Sequence, residues 1–345
     1  MTYRASPLLQ DPRDYFLERE PDGTSRLRVA DVVLRAGEDP KDIFARIIRF
    51  ATNSSWNHSA LVFLLSNLKQ GYDSTFLIEA ITDGVRVADW RKTIVPYKQF
   101  SIGVKRVALD WYAETTAEQA RHSASDPEDT HGIDYLRAVR GVALDQINGM
   151  YDKRVLLELI ALYIQRVTRR HLQAFPIVIH IAAAFANFFR AWSLSNSSSG
   201  SLQRFICSGL MQYSFFEALR NRILNAREVE EDRSVALHNL NNMHRIIFCE
   251  DPDKIIATYV QQVQQGKRDL ADPIPESVLD LLKTATPADF NNSPNLKWHY
   301  VIYRGTAWQI DEVESEYAPQ SEDEARVIAL LQPEHRSLSL KTLQK

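Results

Sequence analysis

Two residues, Cys207 and Cys249, are the only thiols in a chain of 345, and Cys207 stands where a thiol can become a nucleophile. It sits in Arg204-Phe205-Ile206-Cys207-Ser208-Gly209-Leu210-Met211, where a loop ends and apolar spacing begins (Leu210, Met211, Phe215, Ala218, Leu219). That spacing predicts a helix from Cys207 to about Leu224. A thiol in a first helical turn lies at the positive end of the macrodipole, which favours the thiolate. The backbone N–H groups of that turn can receive an oxyanion. A lone cysteine at a helix start is more often packing than chemistry. A nucleophile also needs a base within reach and a group that holds the base.

His58 and Glu79 are the candidates for those roles. His58 opens the apolar run Ser59-Ala60-Leu61-Val62-Phe63 after a polar loop, a strand-edge position from which an imidazole can serve a helix N-terminus. Glu79 interrupts the apolar segment Phe76-Leu77-Ile78-Glu79-Ala80. A carboxylate there is costly unless paired, and pairing with His58 explains it. Each also has a plain structural reading, as a hydrogen-bonded strand-start histidine and an outward-facing edge carboxylate. Together the three residues would support acyl transfer through a thioester.

Other chemistries find little support. His122, His131, His171, His180, His238, His244, His299 and His335 show no metal-ligand spacing, and Cys249 has no partner for a metal site or disulfide framework. No phosphate-binding loop or dinucleotide fingerprint occurs, so cofactor-free and metal-free chemistry is expected. The formal charge of −3 carries no basic excess, which argues against a nucleic-acid partner. The first sixteen residues carry Arg4, Asp11, Arg13 and Asp14 and no apolar core. The expectation is therefore a cytoplasmic protein, or export without a signal peptide, as for a toxin effector. Ala174 to Phe189 lacks charged side chains but contains Pro176, His180 and Asn187. It falls short of the ~20 apolar residues of a spanning helix. A buried helix is expected, with peripheral membrane contact through 166–192 as the alternative: Arg166, Arg169 and Arg170 precede Phe185, Phe188, Phe189 and Trp192.

The elements that must position these residues follow from periodicity. Strands are expected over 28–35, 58–65, 76–80, 85–87 and 101–108, forming an antiparallel sheet entered by a helix at 39–49. Helices are expected over 133–147, 155–171, 177–192, 207–224, 251–265 and 274–284, then a returning strand at 298–303. The fold class is α+β: one domain over 1–345 with a helical insertion at 110–202. From Asp311 an acidic tail follows, expected to be partly mobile, with a helix available at 325–331.

The order and wording of these segments resemble the circularly permuted branch of the NlpC-type papain-like superfamily, related to the lecithin:retinol acyltransferase group. That branch opens with a Gly-Asp-hydrophobic strand, matched by Ala30-Asp31-Val32-Val33-Leu34. A helix and a Thr-x-Ser loop then lead to Ser-His and a strand (Thr52 to Phe63), followed by Ile78-Glu79-Ala80 with Gly84-Val85. A Tyr-Asp element matches Tyr151-Asp152, a Phe-x-Cys-Ser helix start matches Phe205 to Ser208, and Thr-Pro-x-Asp matches Thr286 to Asp289. The resemblance implies a papain-like sheet packed against helices, with Cys207 as nucleophile, His58 as base and Glu79 orienting His58. Tyr151, Trp56 and Ser208, within or beside these motifs, are expected at the substrate. Three departures stand out: Gly209 where the branch is often acidic, Asn57 where Ser is common, and a long insertion between Tyr151 and Cys207. The resemblance favours hydrolysis or transfer of an amide, such as a cell-wall peptide. The Arg-flanked apolar insertion favours an acyl-lipid ester. A degenerate binding module without catalysis is the third reading.

Overall fold

Apolar alternation in the first hundred residues and again near residue 300 closes into one sheet. The computed structural model describes residues 2–18, 26–37, 48–49, 52, 54–66, 74–81, 84–94, 100–108, 134–147, 206–228, 233–249 and 253–332. Within them, strands β1 (Thr2–Pro7), β2 (Val32–Gly37), β3 (His58–Leu64), β4 (Phe76–Ile81), β5 (Gly84–Asp89), β6 (Phe100–Val107), β7 (Leu296–Tyr303) and β8 (Thr306–Val313) form an eight-stranded sheet in the order β1-β8-β7-β6-β2-β3-β4-β5. Every pairing is antiparallel. The fold is mixed α+β, as the periodicity predicts.

The expected strands are present, with ends displaced by at most four residues. β1 and β8 were not expected. β1 runs along β8 with Thr2 opposite Val313 and Pro7 opposite Trp308, which joins opposite ends of the chain at one sheet edge. The acidic segment from Asp311 therefore begins inside a strand. It continues into a helix, Glu322–Leu331, capped by the Ser321 side chain. Glu324 in that helix is buried and accepts hydrogen bonds from the Tyr317 hydroxyl and the Gln320 N–H. Through Leu331 this segment is built into the fold; residues 333–345 lie outside the described residues.

Eight further helices occupy the described residues: α1 (Pro12–Tyr15), α2 (Trp90–Ile94), α3 (Asp134–Asp145), α4 (Cys207–Glu228), α5 (Arg233–Asn241), α6 (Asp253–Gln264), α7 (Glu276–Lys283) and α8 (Pro287–Asn292), with Glu322–Leu331 as α9. The helices expected over 155–171 and 177–192 and most of 39–49 lie outside the described residues, as does most of the proposed insertion. Among the described residues no helix is long and apolar enough to cross a membrane.

α4 is the centre of the helical layer. It packs on β3 and β4 beneath and against α3, α5 and α7 beside it. Every residue from Cys207 to Phe216 is buried, so this first part of the helix is enclosed on all sides. Polar groups there must find partners, and they do. Gln212 donates to the Ile246 carbonyl and accepts from the Phe248 N–H, and the Ser214 hydroxyl returns to the Leu210 carbonyl. A scaffold packed in this way holds the first turn of α4 at a fixed place over the sheet.

Candidate active site

Cys207 is the first residue of α4, and the first intrahelical bond, Leu210 N–H to Ile206 C=O at 3.0 Å, forms immediately after it. The N–H groups of Cys207, Ser208 and Gly209 thus precede the helical ladder, in the place where an oxyanion can be received. Gly209 explains how the helix reaches this position. A Cβ there would lie 2.5 Å from the Lys283 carbonyl oxygen at the end of α7. Any side chain at this position, an acidic one included, would meet that backbone.

His58 is the first residue of β3, and its ring reaches both neighbours needed for a triad. Nε2 lies 2.7 Å from Glu79 Oε2. A carboxylate only accepts, so Nε2 carries the hydrogen. That leaves Nδ1 for Cys207, whose sulfur is near enough that each group shifts the titration of the other. Glu79, on β4, is almost completely buried. Its other oxygen, Oε1, accepts two hydrogen bonds from Arg86, from Nε at 2.9 Å and Nη2 at 2.7 Å. Register dictates this pair, since Glu79 and Arg86 sit directly opposite each other on β4 and β5.

The charges reinforce one another. Burial pushes the Cys207 thiol up, but the His58 charge, hydrogen bonds from His58 and Ser208, and the Ser59 backbone outweigh it and bring the thiol down to about 7. Burial alone would lower His58. The facing thiolate and the hydrogen bonds to Cys207 and Glu79 raise it to about 9, against the opposing charge of Arg35 across the β2–β3 pairing. Burial would raise Glu79 as well, yet His58 and Arg86 hold it down to about 2. Between about pH 7 and 9 the favoured state is thiolate beside imidazolium, flanked by an ionised carboxylate.

The other expected site residues are placed differently. Trp56 is fully buried, tilted against Trp298 with ring centroids 5.5 Å apart, and its indole N–H donates to the Leu330 carbonyl. It is a core residue with no face for a substrate. The misreading came from its closeness in sequence to His58. The Ser208 side chain is also enclosed: its hydroxyl lies 2.9 Å from Ser59 Oγ and 3.7 Å from Cys207 Sγ. Its hydroxyl contacts are with Ser59 and the Cys207 sulfur. Tyr151 lies outside the described residues. Asn57 is buried and donates to the Gly37 carbonyl, joining the loop before His58 to the end of β2.

Two other motifs prove structural. Asp31 anchors the start of β2 by accepting from the Arg28 N–H and from the Arg106 guanidinium through both carboxylate oxygens. Thr286 and Asp289 form a capping box at the head of α8, as the S/T-x-x-acid spacing allows. Lys105, buried in β6, donates to the Phe290 and Asn291 carbonyls at the tail of the same helix, both at 2.7 Å.

Sequence reasoning missed Arg86 and Ser59, which complete the site; the hairpin register and the strand alternation were the available signals. Among the described residues no group of three or more His, Cys, Asp or Glu is placed to hold a metal ion, and neither cysteine is in a disulfide. No protein-family model and no curated protein matches this chain.

Proposed function

We propose that this chain is a thiol hydrolase or acyltransferase that cleaves an amide bond, in a peptide such as one of the cell wall, through an acyl-enzyme on Cys207, in a permuted papain-like fold. What supports this reading is Cys207 at the head of a buried helix, beside a His58 ring that Glu79 holds at 2.7 Å. The Cys207 thiolate attacks the carbonyl carbon. Charge moves to the carbonyl oxygen, which the N–H groups of the first turn of α4 receive; one such donor is typically worth ~10²–10³ in rate. The His58 imidazolium gives its proton to the departing amine, leaving a thioester and a neutral ring. That ring then takes a proton from water or another acceptor, whose oxygen or nitrogen attacks the thioester and expels the thiolate. Glu79 keeps the proton-bearing Nε2 turned away from the reaction throughout.

The test is to incubate the whole chain and its Cys207→Ala variant with peptidoglycan fragments and, separately, with phospholipid vesicles. Release of free peptide by the first protein alone supports the amide reading. Release of fatty acid moves the scissile bond to a lipid ester. Release of neither, with Cys207 alkylated no faster than Cys249, defeats the enzymatic reading and leaves a binding module.

A further inference from the structure

The carboxylate that holds His58 is itself held, and the way it is held differs from simple charge pairing. Both Arg86 contacts fall on one oxygen, Oε1 of Glu79, while the histidine contact falls on the other, Oε2. The terminal torsion of a glutamate is broad and nearly two-fold, so a buried carboxylate has no intrinsic preference for the angle it presents. Two N–H groups in a rigid fork remove that freedom. Arg86 leaves Oε2 aimed at Nε2, which in turn leaves Nδ1 facing the thiol.

We propose that Arg86 is a positioning residue for the thiol chemistry, the fourth member of a Cys207–His58–Glu79–Arg86 chain, acting through the orientation and charge of Glu79. The inference rests on the functional reading above. The sequence of charges supports it: thiolate, imidazolium, carboxylate and guanidinium alternate in sign, so the assembly is neutral overall. Removal of Arg86 leaves a net negative group around a buried sulfur, which works against the thiolate. The placement is local in origin. Ile81 pairs with Gly84 at the β4–β5 hairpin, and that register puts Arg86 opposite Glu79. Gly84 has φ +122°, a conformation glycine adopts without strain.

A purely structural role, compensation of a buried carboxylate, predicts something else. The Arg86 side chain is 57% exposed, so it fills no core volume. A structural role would show as a lower melting temperature with thiol titration unchanged in the folded protein. The test measures alkylation of Cys207 by iodoacetamide across pH, peptide by peptide, on the full chain, with R86Q and R86K beside it and thermal melts for each. For R86Q the half-titration of Cys207 should move up by about one unit, with alkylation near pH 7 about fivefold slower. R86K keeps the charge without the fork and should fall between the two. An unchanged Cys207 titration in folded R86Q overturns the proposal, and so does full recovery in R86K, which would show that charge alone suffices. If R86Q does not fold, R86K decides: an intermediate titration supports the fork, and a wild-type titration defeats it. An ordinary thiol titration in the unsubstituted protein overturns the functional reading and this proposal together, so the two failures are distinguishable.

Discussion

Gly209 lies against the carbonyl of Lys283, so close that a Cβ on Gly209 would stand 2.5 Å from that oxygen. Helix propensity alone says that Ala at this position should stabilise α4 by about 1 kcal/mol. Packing says the reverse, because the obstacle is backbone rather than a movable side chain. Gly209→Ala should lower stability by about 1–3 kcal/mol, and the larger Gly209→Asp by more. Denaturant unfolding measures both. A Gly209→Ala variant as stable as the parent would mean that α4 and α7 are not in contact as described.

The Cys207–His58 pair predicts a distinctive pH dependence. The His58 contribution to stability is full below the unfolded value of 6.5 and lost as pH rises through about 9. The Cys207 contribution is present above the unfolded value of 9.0 and lost as pH falls through about 7. Between about 7 and 9 the folded pair holds one proton, on His58, and the unfolded pair also holds one, on Cys207. Equal proton counts mean no pH slope in stability from the pair across that window. The thiol reports instead: alkylation of Cys207 should reach half its maximum near pH 7. In His58→Ala the thiol loses its counter-charge, and near neutrality alkylation should slow roughly 50-fold. A profile rising only near pH 9 in the parent protein would contradict the pair.

Glu79→Gln isolates orientation from packing. The amide is isosteric, but it has one acceptor oxygen for two neighbours that both donate, Arg86 and His58 Nε2. With its NH2 toward the ring, it favours the wrong imidazole tautomer. The proposed amide hydrolysis should fall on the order of a hundredfold with KM little changed. An equal loss through KM alone would assign Glu79 to substrate binding.

Ala30 stands in an unusual backbone conformation. Its φ is +65°, in the left-handed region where a Cβ costs roughly 1–2 kcal/mol, at the position where the resembling family has glycine. Ala30→Gly should therefore raise stability by about 0.5 kcal/mol, after the entropy lost by glycine on folding is deducted. A buried Ala→Gly change in an ordinary strand would do the opposite. A thermal melt separates the two outcomes.

These cases show which parts of the molecule were open to sequence reading. His58, Glu79 and Cys207 were legible because each stands at a break in a local pattern: a strand start, a charge in an apolar run, a helix start. Local patterns also located β2 to β7 and α4. β1 was hidden because Tyr3 and Ala5 alternate only weakly with Arg4 and Ser6, and its partner β8 lies some three hundred residues away. Arg86 carries no local signal, since its proposed role exists only through the cross-strand register with Glu79. Trp56 misled for the opposite reason: it lies two positions before His58 in the chain, yet it packs against Trp298 on β7.

The Ser59–Ser208 contact gives the most discriminating energetic prediction. Both side chains are fully buried, with their oxygens 2.9 Å apart, and Ser208 also touches the Cys207 sulfur. If Ser59 donates to Ser208, the Ser208 hydrogen is directed at the thiolate, which it stabilises. Ser208→Ala leaves the Ser59 hydroxyl buried without that partner and should cost about 1–3 kcal/mol. It should also raise the thiol's half-titration. Ser59→Ala should cost less, because Ser208 keeps the sulfur as an acceptor. In the double variant no hydroxyl is left to satisfy, so its cost should fall below the sum of the singles by about 1 kcal/mol. Unfolding of the four proteins in a double-mutant cycle measures this coupling, and strict additivity would show that the two hydroxyls do not share a hydrogen bond.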